Sequence, residues 1–145
     1  MLVDAEATAV LNPRDNGKLG LPIPPITKII DAGVNLLLGT DNGLLNSPSM
    51  LAELDYTYKI TKSQYGDPPR RPKPVDILKM ATSNAEKVFG SEMPSYLDIG
   101  LPASFAVLDF NQLHLKRSRN LHASILIRVT PEDVFENWRD GKRIY

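Results

Sequence analysis

The 145-residue sequence contains no cysteine, only two histidines, and no excess charge of either sign, with 17 Lys+Arg against 17 Asp+Glu. The missing cysteines exclude disulfides, thiolate metal sites and a cysteine nucleophile together. Two histidines, His114 and His122, leave little room for zinc chemistry or imidazole base catalysis. Charge balance argues against a chain built chiefly to bind nucleic acid. No apolar run approaches the roughly 20 residues that a membrane helix needs. The start Met1-Leu2-Val3-Asp4-Ala5-Glu6 is acidic rather than signal-like, so a soluble, cytoplasmic protein is expected. What is present is globular in kind. A 42% hydrophobic and 23% charged composition excludes a disordered or collagen-like chain, and the length suits one domain or a compact one with an appendage. Twelve prolines punctuate it heavily.

Residues 7–11 (Ala-Thr-Ala-Val-Leu) read as a buried strand that stops at Asn12-Pro13, because proline cannot join a central ladder. After a glycine-bearing loop, Pro24-Pro25 opens a helix of about eight residues. Ile23, Ile26 and Ile30 fall on one face of it, and Gly33 ends it. The run Val34 to Leu38, closing in Gly39-Thr40-Asp41-Asn42-Gly43, is what a strand buried on both faces looks like. Strand, helix and strand with short connections make a βαβ unit, so the two strands should be parallel. Asp41 then lies at the carboxyl end of its strand, where α/β folds place their chemistry.

Ser47-Pro48 is expected to start a helix with Met50, Leu51, Leu54 and Tyr58 as its apolar stripe. Residues 66–74, rich in proline, break it as a stiff connection. A single helix is expected from Pro74 to Phe89, with Ile77, Leu78, Ala81, Ala85, Val88 and Phe89 on one face and Gly90 as cap. Residues 105–108, 124–129 and 133–138 then read as strands, and Asp140-Gly141 as a hairpin turn. The organisation is an α/β half followed by a mostly β tail.

Several short motifs occur in a specific order: residues 34–42, Ser47-Pro48-Ser49-Met50-Leu51, Ala81-Thr82-Ser83-Asn84-Ala85, residues 99–109 and the closing Gly141-Lys142-Arg143-Ile144-Tyr145. Together they resemble the C-terminal part of an amidohydrolase-superfamily enzyme, in the branch of cytosine and guanine deaminases and triazine chlorohydrolases. The resemblance covers essentially the whole chain. It implies an α/β fold, the C-terminal fragment of a (β/α)8 TIM-type barrel followed by a small, mostly β composite domain. Residues 1–92 would be the partial barrel and 93–145 the part of the β domain. It sets residues 7–11 at barrel strand seven and 35–40 at strand eight. Asp41 then corresponds to the aspartate that ligates the metal or takes the proton of the attacking water. Residues 12–16 match the loop after strand seven, with Asp15 where a serine is usual. Ser104 replaces the aspartate of an alanine–aspartate pair in the β domain. The family's other metal ligands, histidines after strands one, five and six, have no counterpart here. A complete barrel needs about 250 residues, so the chain resembles a barrel tail without its head.

The resemblance implies a divalent metal, zinc or iron, as the family's cofactor. A catalytic zinc site uses three protein ligands, and the α/β half has no histidine, so none is expected to be bound by this chain alone. Read without the family, Asp41 is an Asx-turn residue after a strand. His114 and His122, flanking Lys116-Arg117-Ser118-Arg119, read as a solvated surface loop, and Pro69-Arg70-Arg71-Pro72 as a plain connection rather than a PxxP ligand. Trp138 reads as a packing residue, and Glu53 as a surface carboxylate on its helix. Two functions follow. One is a portion of a metal-dependent hydrolase acting on C–N bonds other than peptide bonds, inactive by itself and completed by a missing N-terminal barrel portion. The other is a non-catalytic remnant or interaction protein that self-associates as a homo-oligomer.

Overall fold

The computed structural model describes residues 2–64, 72–90 and 96–145. The PxxP segment at residues 69–72 falls largely outside these, as does the division between residues 92 and 93. Strand β1 (Thr8–Leu11) pairs in parallel with β2 (Asn35–Leu38), in register Thr8 with Asn35 through Leu11 with Leu38. Between them run two short helices, α1 (Pro13–Lys18) and α2 (Ile26–Asp31). The expected βαβ unit is therefore present. Where a loop is expected at residues 12–16, the chain instead winds into α1, because Pro13 at the first helical position presets the backbone angle and has no N–H to leave unpaired. Gly33, at φ 82°, ends α2 in the left-handed conformation that glycine adopts without strain.

Helix α3 (Met50–Ser63) begins two residues later than the Ser47-Pro48 signal suggests. Ser49 caps it, its hydroxyl accepting from the Ala52 N–H at 3.3 Å. Its inward face carries Glu53, Leu54, Thr57, Tyr58 and Thr61. Glu53 is therefore not a surface carboxylate: it is fully buried. The expected single helix from Pro74 to Phe89 is split into α4 (Pro74–Met80), a 3-10 turn at Ser83–Ala85, and α5 (Glu86–Phe89). The split has a tertiary cause. The Asn84 side chain donates to the Leu36 carbonyl at 2.8 Å, and the Asn84 carbonyl accepts from the Asn35 side chain at 3.1 Å. These bonds to β2 draw the turn off the helical path, and Val88 and Phe89 are left exposed.

The core gathers Ile26 of α2, Leu36 and Leu38 of β2, Leu54 and Tyr58 of α3, Ile77 and Met80 of α4, and Leu126. Leu36 and Leu38 are buried whereas Leu37 is only half-buried, so β2 is covered chiefly from its helical side. β1 is less buried than expected, with Val10 58% exposed. Among the described residues β1 and β2 pair only with each other, which leaves two open edges on this sheet.

The second sheet is antiparallel: β3 (Phe105–Leu108), β4 (Val134–Arg139) and β5 (Lys142–Arg143), in that order. Phe105 and Trp138 face each other in register and stack with ring centroids 5.9 Å apart, so Trp138 is the strand-packing residue that its position suggests. Asp140 and Gly141, both at positive φ (48° and 74°), form the two-residue hairpin turn whose twist matches the strands. The Ser104 hydroxyl accepts from the Asp140 N–H at 3.1 Å and holds that turn onto the start of β3. The expected strand at residues 124–129 is instead helix α6 (Leu121–Ile127). The Asn120 side chain caps it by accepting from the Ala123 N–H at 3.0 Å, and Leu126 reaches the core between α3 and α4. Here a cap and one deeply packed leucine outweigh a β-branched run.

Candidate functional site

The carboxyl ends of β1 and β2 lie side by side, so Asn12 and Asp41, the polar residues just past them, are neighbours. The Asn12 Nδ2 donates to Asp41 Oδ2 at 3.0 Å. Asp41 has φ 52°, in the left-handed region that short polar side chains tolerate, and its side chain is exposed. Beyond it, the Asn42 side-chain oxygen accepts from the N–H groups of Leu44 (3.1 Å) and Leu45 (3.2 Å), folding an Asx turn.

Helix α1 grips this second loop along its length. The Lys18 ammonium donates to the Leu45 carbonyl, the Asn46 side chain donates to Asp15 Oδ1, and the Arg14 guanidinium donates to the Ser47 carbonyl at 3.1 Å. Arg14 also meets the buried Glu53 of α3, its backbone N–H donating to Oε2 at 3.4 Å and its Nη1 lying 3.5 Å from Oε1. Burial raises the Glu53 pKa above 4.5, against the pull of the Arg14 N–H and guanidinium, and the Asp15 negative charge pushes the same way as burial. Asp15 is buried like Glu53, and its Oδ2 has no hydrogen-bond partner among the described residues.

The two histidines lie elsewhere. His114 is not simply solvated: its Nε2 pairs with Asp133 Oδ2 at 3.0 Å. Asp133 also accepts from the Thr130 N–H (2.8 Å) and hydroxyl (3.1 Å), and the first of these does most to hold its carboxyl below 3.8. His122 is exposed on α6. No three groups among His, Cys, Asp and Glu come together to hold a metal ion among the described residues. Asp41 offers one hard oxygen with an amide donor beside it, and that is not a zinc or iron ligand set. Of the residues singled out from the sequence, Asp41 and Asn12 meet, whereas Asp15 bonds Asn46 instead. The sequence carries no signal for the Arg14–Glu53 pair, because helical spacing does not distinguish a buried glutamate from a solvated one.

Among the described residues, no helix is long and apolar enough to cross a membrane. The fold is shared with solved deaminases. An adenosine deaminase from Xanthomonas campestris with bound zinc matches 98% of this chain and 33% of its own at TM-score 0.89 and 21% identity. Guanine deaminase of E. coli matches 99% of this chain and 35% of its own at TM-score 0.82 and 22% identity. In sequence, a protein of Methanothermobacter thermautotrophicus named as an aminohydrolase is 38% identical over 97% of this chain and 34% of that protein. A 5-methylthioadenosine/S-adenosylhomocysteine deaminase of Caldicellulosiruptor saccharolyticus is 30% identical over 100% of this chain and 34% of that protein. The chain thus spans about a third of the length of these relatives. All of its residues, 1–145, match the amidohydrolase family, and the chain belongs to that family.

Proposed function

We propose that this chain supplies the C-terminal part of a deaminase-type hydrolase acting on C–N bonds other than peptide bonds, with Asp41 as its reacting carboxylate. β1 and β2 take the places of barrel strands seven and eight, and β3 to β5 belong to a small composite β domain. The observation that carries this reading is Asp41 itself. It is a carboxylate standing just past the end of a parallel strand, beside the end of its partner, in a chain of this family. The name of the sequence relative from Caldicellulosiruptor saccharolyticus, a deaminase of 5-methylthioadenosine and S-adenosylhomocysteine, favours an adenine nucleoside as substrate class. In the reaction, Asp41 takes a proton from the water whose oxygen attacks the ring carbon bearing the amino group. The proton then passes to the departing nitrogen, which leaves as ammonia.

These residues do not form a metal site by themselves. Asp41 would contribute one oxygen to a divalent ion, zinc or iron, and the remaining ligands would have to come from a complementary N-terminal barrel portion. The same open edges of β1 and β2 that such a portion would cover are surfaces on which two copies of this chain could pair as a homo-oligomer instead. The test measures ammonia release from adenine nucleosides, and metal content, for the chain alone and with an N-terminal barrel portion co-expressed. Activity is expected in the second case. Asp41→Asn should lower it by roughly 10²–10⁴, the usual worth of general-base help, and His122→Ala should leave it unchanged. If Asp41→Asn keeps the full rate while His122→Ala abolishes it, the reading is wrong.

A further inference from the structure

The Asp41 carboxylate is held on one side only. Its Oδ2 accepts from the Asn12 amide, and among the described residues no other hydrogen bond reaches its side chain. The direction of the Asn12 amide follows from charge: turned over, its oxygen would face a carboxylate oxygen. The oxygen edge of that amide is buried and has no hydrogen-bond partner among the described residues. It lies over Gly39, where a Cβ would stand 2.5 Å from the Asn12 Oδ1 and 3.1 Å from the Val10 side chain. Such a distance to the amide oxygen is closer than side chains tolerate. Asn12 thus sits in a slot that exists because residue 39 has no side chain, with its donor edge turned to Asp41. The slot is rigidly framed. The Gly39 N–H donates to the Leu11 carbonyl at 2.9 Å, continuing the β1–β2 ladder, and the Asn12 carbonyl accepts from the Asn16 N–H at 3.1 Å in the first turn of α1. The clasp of Arg14, Asp15 and Lys18 on residues 45–47 keeps α1 in place over the loop that follows Asp41.

We infer that Asn12 is a positioning residue for Asp41: it occupies Oδ2 and thereby presents Oδ1 to the reacting water, and Gly39 is the close-approach position that permits it. The inference rests on the reading of Asp41 as the reacting carboxylate. An exposed carboxylate without this tether would sample several rotamers, and only one of them directs a lone pair at the water. Small displacements of a reacting group cost up to about 10²-fold in rate, so Asn12→Ala should lower kcat roughly 10- to 100-fold and leave KM within about twofold. Gly39→Ala should reproduce part of that loss through the Asn12 side chain. Asn12→Asp should be worse than Asn12→Ala, since it sets like charges side by side.

The experiment has two arms. In the first, the side-chain amide resonances of Asn12 are followed by nitrogen-15 NMR in the full chain. The hydrogen-bonded proton should lie downfield of its partner in the wild type, and Asp41→Ala should collapse the separation. This arm needs neither activity nor any change at Asn12. In the second, kcat and KM for ammonia release are measured in the completed hydrolase for Asn12→Ala, Gly39→Ala and Asp41→Asn, with thermal melting to confirm folding. Loss of kcat in all three, largest for Asp41→Asn, supports the inference. An Asn12 amide indifferent to Asp41→Ala overturns it, as does full kcat in Asn12→Ala when Asp41→Asn is inactive; that second pattern leaves the role of Asp41 standing. Full kcat in Asp41→Asn overturns the proposed function and takes the inference with it.

Discussion

Glu53 is the position at which a single substitution should separate a buried ion pair from a surface one. It is fully buried on the inner face of α3 and holds Arg14 by its backbone N–H and its guanidinium, which also reaches the Ser47 carbonyl. Glu53→Ala removes both interactions and opens a void. Breaking a fully buried pair costs about 3–5 kcal/mol. The Arg14 side chain keeps 18% exposure and one carbonyl partner, so part of its charge remains solvated. The backbone contact at 3.4 Å is long and adds about 0.5–1 kcal/mol at most. The expected loss is therefore about 2–3 kcal/mol, which is a drop of roughly 4–12 °C in Tm for a chain of this size.

The control is Lys59→Ala, which removes an exposed i, i+4 pair with Asp55 and should cost roughly 0.3–0.5 kcal/mol. Urea titration of the three proteins, with unchanged slopes, reads the differences. A pH series adds an independent check. Because burial raises the Glu53 pKa above 4.5, the folded chain holds a proton that the unfolded chain releases. This contribution is full below pH 4.5 and is lost as pH rises through the raised value. Glu53→Gln should remove that decline while keeping the side chain's shape. If Glu53→Ala costs no more than Lys59→Ala, or if Glu53→Gln leaves the decline in place, the reasoning from burial fails.

Asp133 has the opposite sign: its lowered pKa contributes stability above pH 3.8 that is lost as pH falls through the folded value, and Asp133→Asn should abolish this acid limb of the urea midpoint curve. Leu126→Ala should cost about 2–5 kcal/mol by calorimetry or urea. Ile127→Ala, one residue on and 42% exposed, should stay near 0.5 kcal/mol, as surface changes do. With both edges of the β1–β2 pair open, light scattering at micromolar concentration should give a mass above that of one chain, and a clean monomer would count against pairing through those edges.

Some of this molecule is written in local pattern. The extended runs of β1 and β2, Asp41 past the end of β2, Gly33 closing α2 and the Asp140-Gly141 turn all depend on a few neighbouring residues. Their hydrophobic period and turn chemistry act over short range, so the amino-acid order alone determines them. Other features were decided by partners distant in sequence. Residues 124–129 carry a strand-like run, yet Leu126 finds its place between α3 and α4 only as part of a helix. The helix expected from Pro74 breaks because Asn84 has better hydrogen bonds to offer β2 than to its own turn. Glu53 is buried because Arg14, 39 positions earlier, lies against it once β1 and β2 have paired. Asn12 meets Asp41 across 29 positions for the same reason. Desolvation and hydrogen bonding depend on what stands within a few ångströms, and for these residues only the folded chain puts those neighbours there.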